Sequence, residues 1–324
     1  MKFMTKLRCA VIGVGYLGRF HAQKYQLLSE SATLVAVCDQ NQTLCDTVAN
    51  ELGVPGYADY RLLFDKVDAV SIAATTIAHY DIAKACLMAG LHVLLEKPIT
   101  ETVEQANELI ALAAARDLKL QVGHLERFNA ARLALEPYLE NPLFIESQRL
   151  APFNPRGTDV DVVLDLMIHD IDMIQAMVQR PITHIDAQGA PVLSKAIDIA
   201  NARITFDNGT VANITASRIS FKTERKMRIF QKDTYISIDY HSKQLAVFSK
   251  GTGEMFPGIP DIVQHQSVFD KGDALLAEIC AFVDCIQQDT QPLVTGDAGR
   301  AALETAAMIA ECIHTHLNKH HAFA

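Results

Sequence analysis

The sequence predicts an α/β half built on a doubly wound parallel sheet, followed by an α+β half with a large, mostly antiparallel, open-faced sheet. Three observations carry this prediction. Strands and helices alternate regularly from residue 7 to about residue 124. A glycine motif, Gly13-x-Gly15-x-x-Gly18, falls between the first strand and the first helix. Beyond residue 125 strands follow one another without helices between them, a pattern of antiparallel pairing. The expected domains are 1–125 and 126–324, with the C-terminal helix able to return to the first.

The 324 residues suffice for two cores of ordinary size. An apolar fraction of 49% with 21% charged residues describes a folded globular chain. A net charge of −9 argues against nucleic acid as a partner, because its phosphates need a basic face. No stretch approaches the roughly 18 apolar residues of a membrane span. The start, MKFMTKLRCAVIG, runs into a strand with no cleavable signal pattern. Cys9, Cys38, Cys45, Cys86, Cys280, Cys285 and Cys312 form no C-x-x-C pair. They read as free thiols in a reducing, cytoplasmic setting, with no disulfide framework and no metal site. His314, His316, His320 and His321 read as a frayed helix end.

The first strand, residues 7–13, is apolar and β-branched. Gly13 makes the turn out of it, Gly15 lets backbone approach a pyrophosphate, and Gly18 lets helix and strand pack closely. With Tyr16 and Leu17 in the first helical turn, this loop is the expected cofactor contact, since a helix N-terminus offers free N–H groups to phosphate. A second strand, 33–38, ends at Asp39, 21 residues past Gly18. A carboxylate there accepts hydrogen bonds from both adenosine ribose hydroxyls and repels a 2′-phosphate, so NAD is expected over NADP. Gln40, Asn41 and Gln42 supply no cation. Residues 68–73 form the next strand, followed by Thr75, Thr76 and His79 at the strand-to-helix junction. His79 reads equally as a cofactor-pocket residue or as a helix-start histidine without a ligand. A helix over 82–89 stops at Gly90. The strand 93–95 then ends abruptly at Glu96-Lys97-Pro98, a positioned cation at the carboxyl end of a parallel strand, where ligands of such sheets sit. Thr100 is the expected N-cap of a helix reaching Arg116, and 118–122 is the last strand, ending Gly123-His124.

In the second half, 126–129 opens a short helix and 143–150 alternates like a strand. Residues 159–179 read as one helix, followed by strands at 182–188, 199–206, 210–220, 226–231, 235–239 and 244–248. Asp207-Asn208-Gly209 is a hairpin turn between two of them. Residues 251–272 read as a Gly/Pro-containing loop suited to a lid or a subunit contact. Helices are expected over 274–287 and 297–317. On the 159–179 helix, Asp161, Asp165, His169 and Asp172 fall on one stripe at 100° per residue. Asp165 and His169, four residues apart, can touch, and a carboxylate beside an imidazole raises its basicity as a general base requires. Asp170 falls nearer the apolar face, with no reason visible in the pattern.

Glycine loop, E-K-P strand end and D-x-x-x-H helix together resemble the Gfo/Idh/MocA oxidoreductase family over essentially the whole chain. The resemblance implies a Rossmann domain, an NAD(P)-dependent sugar or cyclitol dehydrogenase, and a second sheet through which subunits pair as homodimers or homotetramers. It makes Lys97, Asp165 and His169 the catalytic residues, with Glu96 and Lys97 beside the cofactor and a cis bond before Pro98. GHLERFN at 123–129 and PRGTDVDVVLDLMIHDID at 155–172 are similar to a narrower group within it. Those enzymes oxidise the 3-hydroxyl of UDP-N-acetylglucosamine or its uronic acid, ahead of transamination on routes to diamino sugars of lipid A or O-antigen. A diphosphate needs cations and polar contacts, and His124, Arg127, Asn129, Arg156, Asp172, Arg218 and Arg225 are the candidates. For each arginine alone, a surface ion pair is the competing role.

Overall fold

The computed structural model describes residues 6–154, 160–269 and 272–321. The first half runs β1 (Leu7–Ile12), α1 (Tyr16–Leu27), β2 (Ala32–Cys38), α2 (Gln42–Leu52), β3 (Gly56–Tyr57), β4 (Ala69–Ile72), α3 (Thr76–Met88), β5 (His92–Glu96), α4 (Val103–Ala115) and β6 (Leu120–Gly123). All pairs are parallel and the order is β3-β2-β1-β4-β5-β6. Strand order reverses at β1, which is the topological switch point where ligands of such sheets bind. The central strands are apolar without alternation because both faces are covered: Cys9, Val11, Val70, Ile72, Val93 and Leu95 are fully buried. The two-residue β3 carries too little pattern to be seen in the sequence.

In the second half, α5 (Ala130–Leu133) is a single turn after a 3₁₀ turn over Leu125–Phe128. It leads to β7 (Pro142–Leu150), α6 (Ile168–Val178), β8 (Ile182–Ala190), β9 (Ile199–Phe206), β10 (Val211–Ser217), β11 (Glu224–Gln231), β12 (Thr234–Asp239), β13 (Gln244–Phe256) and β14 (Ile259–Val268). Two helices close the chain, α7 (Ala274–Gln287) and α8 (Gly296–His321). The eight-stranded sheet has the order β14-β13-β12-β11-β7-β10-β9-β8, antiparallel except where β10 meets β7. Helix α6 packs on β7 and β10, covering the face that carries Ile145, Ile214, Ile229 and Ile236. The opposite face carries an aromatic row across four strands. Phe144, Phe230, Tyr235 and Phe248 follow one another with ring centroids 5.8, 5.0 and 5.5 Å apart.

The chain falls into two compact units, Met1–Leu125 with Asp273–Leu303, and Glu126–Gly272 with Glu304–Ala324. Residues 273–303 thus pack with the first unit. Leu275, Ile279, Phe282 and Val283 of α7 share a core with Tyr25, Leu34 and Val48, and α8 starts in the first unit and ends in the second.

Four local expectations are corrected. Thr102, not Thr100, caps α4, in a reciprocal capping box with Gln105, while the Thr100 hydroxyl donates to the Thr102 carbonyl (2.7 Å). The helix expected over 159–179 is a π-helical turn, Val163–Met167, running into α6, with Asp159 outside the described residues. Most of the 251–272 loop is the β13–β14 hairpin, turning at Gly258 with φ +79°. As an edge strand exposed on both faces, β14 lacks the apolar alternation by which a half-buried strand is recognised. Two of the four histidines expected in a frayed helix end are tied down instead: His314 Nε2 lies 3.0 Å from Asp161 Oδ2, and His316 Nδ1 lies 3.0 Å from the Ala187 carbonyl, while the side chains of His320 and His321 lie outside the described residues.

Candidate active site

The glycine loop follows β1 directly. Gly13 has φ +83°, and a Cβ there would lie 2.7–2.8 Å from the backbone of Ala73 and Ala74. A Cβ on Gly18 would lie 1.8 Å from the Gly13 carbonyl oxygen, so α1 can pack against the loop only with glycine at that position. At Gly15 a Cβ would meet nothing within 4 Å. That open side is the cradle a pyrophosphate needs. Gly15 is the N-cap of α1 and supplies no side-chain cap, leaving the first-turn N–H groups to a ligand. Tyr16 and Leu17 lie exposed in that turn, Tyr16 edge-on to Phe20 at 5.2 Å.

Beside the loop is a cavity of about 580 Å³ lined by Gly13, Gly15, Asp39, Tyr60, Arg61 and Thr75, among others. Asp39 stands just past β2, its two carboxylate oxygens accepting the N–H groups of Val14 and Asn41, each at 2.9 Å. Thr75 precedes α3, and its hydroxyl makes no capping bond. Glycine cradle, unclaimed helix N–H groups, cavity and aimed carboxylate together fit a dinucleotide. Arg61 also lines this cavity, a cation that the neutral run Gln40-Asn41-Gln42 directly after Asp39 gives no sign of. The fold brings it from the 3₁₀ turn after β3, where Nη1 lies 3.3 Å from Asp59 and the guanidinium covers the Tyr60 ring at 5.0 Å.

At the end of β5, Lys97 is half-buried and its bond to Pro98 is cis. Glu96, expected at the cofactor, instead turns its carboxylate into the core of the unit. It lies 2.9 Å from His21 Nε2 and accepts the Lys97 N–H at 3.3 Å. A Cβ on Gly123 would come within 2.8 Å of that carboxyl, so glycine at the end of β6 makes its room. His79 is a tie between two loops: Nδ1 lies 2.9 Å from the Pro98 carbonyl and Nε2 3.1 Å from that of Ala74. Burial lowers its pKa below 6.5, and the neutral ring donates to one of the two at a time. His124, just past β6, is buried, with its N–H donating to the Val122 carbonyl.

In the second unit, Asp165 lies in the π-helical turn and His169 in the first turn of α6, both half-buried. A π turn changes the helical phase, and such turns are frequent at functional sites. The predicted stripe is accordingly divided. Asp161 accepts the Ile197 N–H (2.9 Å) besides meeting His314, and Asp172 takes a bidentate pair from Arg127 at 2.6 and 2.8 Å. Arg127 and Asp172, both expected at the substrate, are thus paired with each other. Arg218 is buried against Asp198 at 2.9 Å, and Asp198 also accepts the N–H groups of Val192, Leu193 and Ser194. Burial pushes its pKa up, but the Ser194 hydroxyl at 2.7 Å and those three N–H groups outweigh it and hold the carboxyl well below the usual carboxylate range. Asn129 caps α5 through Oδ1 and donates Nδ2 to Glu126 and to the Tyr240 carbonyl. Arg225 approaches Glu126 at 3.6 Å, and Arg156 lies outside the described residues. Asp170 now has its reason: it is buried under β7, paired with Arg149 at 2.7 Å and accepting the Ser147 hydroxyl at 2.9 Å.

Among the described residues, two trios have one potential metal-ligand atom each within 4.8 Å of the others, Asp186–Cys312–His316 and His21–Glu96–Glu278. In the first, His316 Nδ1 and Cys312 Sγ are already directed at the Ala187 carbonyl, at 3.0 and 3.7 Å.

A glycine-cradled dinucleotide site on a parallel sheet, in a chain whose second unit carries a mostly antiparallel sheet, defines the class of two-domain nicotinamide-dependent oxidoreductases. The oxidoreductase family with an NAD-binding Rossmann fold matches residues 7–124, and the GFO/IDH/MocA C-terminal domain matches residues 145–236. The chain is 38% identical over 317 residues to UDP-N-acetylglucosamine 3-dehydrogenase of Acidithiobacillus ferrooxidans, covering 98% of this chain and 100% of that one. A solved structure of that dehydrogenase superposes with a TM-score of 0.91 at 38% identity, covering 96% of this chain and 99% of the other. The scyllo-inositol 2-dehydrogenase (NAD(+)) of Bacillus subtilis is 26% identical, over 90% of this chain and 89% of its own. The chain belongs to the Gfo/Idh/MocA oxidoreductase family, and no helix among the described residues is long and apolar enough to cross a membrane.

Proposed function

We propose that this protein is an NAD-dependent dehydrogenase that oxidises the 3-hydroxyl of a UDP-N-acetylglucosamine-type nucleotide sugar. The single observation that carries the reading is the 38% identity, end to end, with an enzyme of that activity, in a chain that has Lys97, Asp165 and His169. The preference for NAD over NADP rests on Asp39, whose carboxylate lines the cavity and would repel a 2′-phosphate.

When bound, the dinucleotide supplies a nicotinamide ring that accepts the hydride of the carbinol carbon. His169 takes the hydroxyl proton as general base, and Asp165 on the preceding turn holds its imidazole in the accepting tautomer. Lys97 steadies the negative charge that grows on the same oxygen. The product is the 3-keto sugar, a substrate for an aminotransferase on a route to diamino sugars of lipid A or O-antigen. The open aromatic face of the second sheet and the exposed apolar residues of the β13–β14 hairpin support pairing with further copies as a homodimer or homotetramer.

The test is NADH formation from a panel of UDP-sugars, free sugars and inositols. Turnover of UDP-N-acetylglucosamine or its uronic acid well above the rest is expected. Turnover confined to inositols or free sugars would replace this reading with that of the more distant relatives. With the preferred substrate, His169→Asn and Lys97→Ala should each lower kcat about 10²–10⁴-fold while NAD binding persists.

A further inference from the structure

Behind the end of β5 lies a polar cluster that the chemistry above does not use. His21 on α1, Glu96 on β5 and Glu278 on α7 each bring one nitrogen or oxygen to within 4.8 Å of the others, and all three are buried. The Glu96 carboxylate is served by His21 and by the Lys97 N–H. Glu278 is not served. It is 0% exposed, and neither carboxyl oxygen has a hydrogen-bond partner among the described residues. Gln121 on β6 donates to the Glu278 backbone carbonyl at 3.1 Å while its own Oε1 has no partner among the described residues, and Tyr25 on α1 is a phenol that burial keeps neutral. Within the trio the potential cation is His21, already on Glu96.

A buried ionised carboxylate costs several kcal/mol even after relaxation. A second carboxylate within 4.8 Å adds repulsion in a medium that screens it poorly. A buried acid in this setting holds its proton, and of the acceptors on the neighbouring residues, which include the unpartnered Gln121 Oε1 and His21 Nδ1, Glu96 offers the carboxylate, the strongest acceptor for it, directly or through one water.

We propose that Glu278 is kept as a neutral carboxylic acid that shares its proton with Glu96, and that it is the positioning residue for the corner carrying Lys97. The shared proton fixes the Glu96 carboxylate, and Glu96 in turn holds the Lys97 N–H at one oxygen and His21 at the other. The trio thereby locks the helix of the glycine loop, the end of β5 and α7 to one another. The protonation stands on the cluster itself, whereas the positioning role rests on the reading of Lys97 as a catalytic residue.

Infrared difference spectroscopy in H₂O and D₂O on the full chain tests the first part. A protonated-acid carbonyl band is expected at neutral pH in the wild type, shifted in D₂O and absent in Glu278→Gln. No such band in the wild type, its persistence in Glu278→Gln, or a stoichiometric bound metal ion that Glu278→Gln removes would each overturn the proposal. The wild-type spectrum decides even if a variant fails to fold. For the second part, Glu278→Gln keeps a donor for Glu96 and should retain kcat. Glu278→Leu, without a donor, should lose about 10²-fold in kcat with KM for NAD little changed. Equal kcat in the two variants would remove the positioning role. Inactivity of the wild type on every sugar tested would fault the reading of Lys97 and leave the infrared result to stand.

Discussion

Asp39 and Arg61 line one cavity with opposite charges, so cofactor choice depends on which of them the ribose meets. Arg61 is held toward Asp59 at 3.3 Å and spread over Tyr60, while Asp39 is aimed by two backbone N–H groups. The carboxylate is therefore the preorganised partner. Replacing it, Asp39→Ser, should raise kcat/KM for NADP relative to NAD by about tenfold or more, a difference of about 1.4 kcal/mol. Adding Asp59→Asn, which releases Arg61, should carry the preference further toward NADP. An unchanged ratio in both variants would refute the assignment of Asp39 to the ribose. Asp39 was legible in the sequence because its spacing from the glycines is short-range. Arg61 was not, since 22 positions and a two-residue strand separate it from Asp39 and only the packed sheet makes them neighbours.

At the scale of elements, α6 is fastened to β7 by a buried ionic knot. Arg149 on β7 meets Asp170 at 2.7 Å and Glu126 at 3.1 Å, and all three are buried. Removing one member leaves an uncompensated charge in the core, so Asp170→Ala should destabilise the fold by about 3–5 kcal/mol in denaturant unfolding. A loss under about 1 kcal/mol would mean that the knot is hydrated. The sequence announced the elements involved but not their chemistry. Periodicity located β7 and α6 and marked Asp170 as misplaced on an apolar face, whereas its partner lies 21 residues away on a strand. The same limit applies to the candidate site. Lys97, Asp165 and His169 follow from local motifs, while the pairing of Arg127 with Asp172 and of Arg218 with Asp198 depends on tertiary packing. The π-helical turn was illegible for a different reason: a helical wheel assumes one phase throughout, and Val163–Met167 breaks it.

For the molecule as a whole, the larger sheet presents, on the face opposite α6, an aromatic row that spans β7, β11, β12 and β13. The adjoining hairpin exposes Met255, Phe256, Ile259, Ile262 and Val263. Apolar surface contiguous on this scale marks an interaction site. Phe230→Glu should therefore shift the protein to monomer in sedimentation, with the unit still folded by circular dichroism. A wild type that sediments as a monomer would remove the pairing proposal.

The division of the chain into units has a consequence for its biosynthesis. The first unit is discontinuous in sequence: residues through Leu125 share it with Asp273–Leu303, and Leu275, Ile279, Phe282 and Val283 belong to its core. A ribosome emitting the chain from its N-terminus delivers the glycine loop and all six parallel strands long before the helix that seals them. During that interval the nascent sheet shows an apolar flank to solvent and lacks Glu278 behind Glu96. The dinucleotide site is thus begun more than a hundred residues before it can be finished, its completion waiting until residues 273–303 have been synthesised.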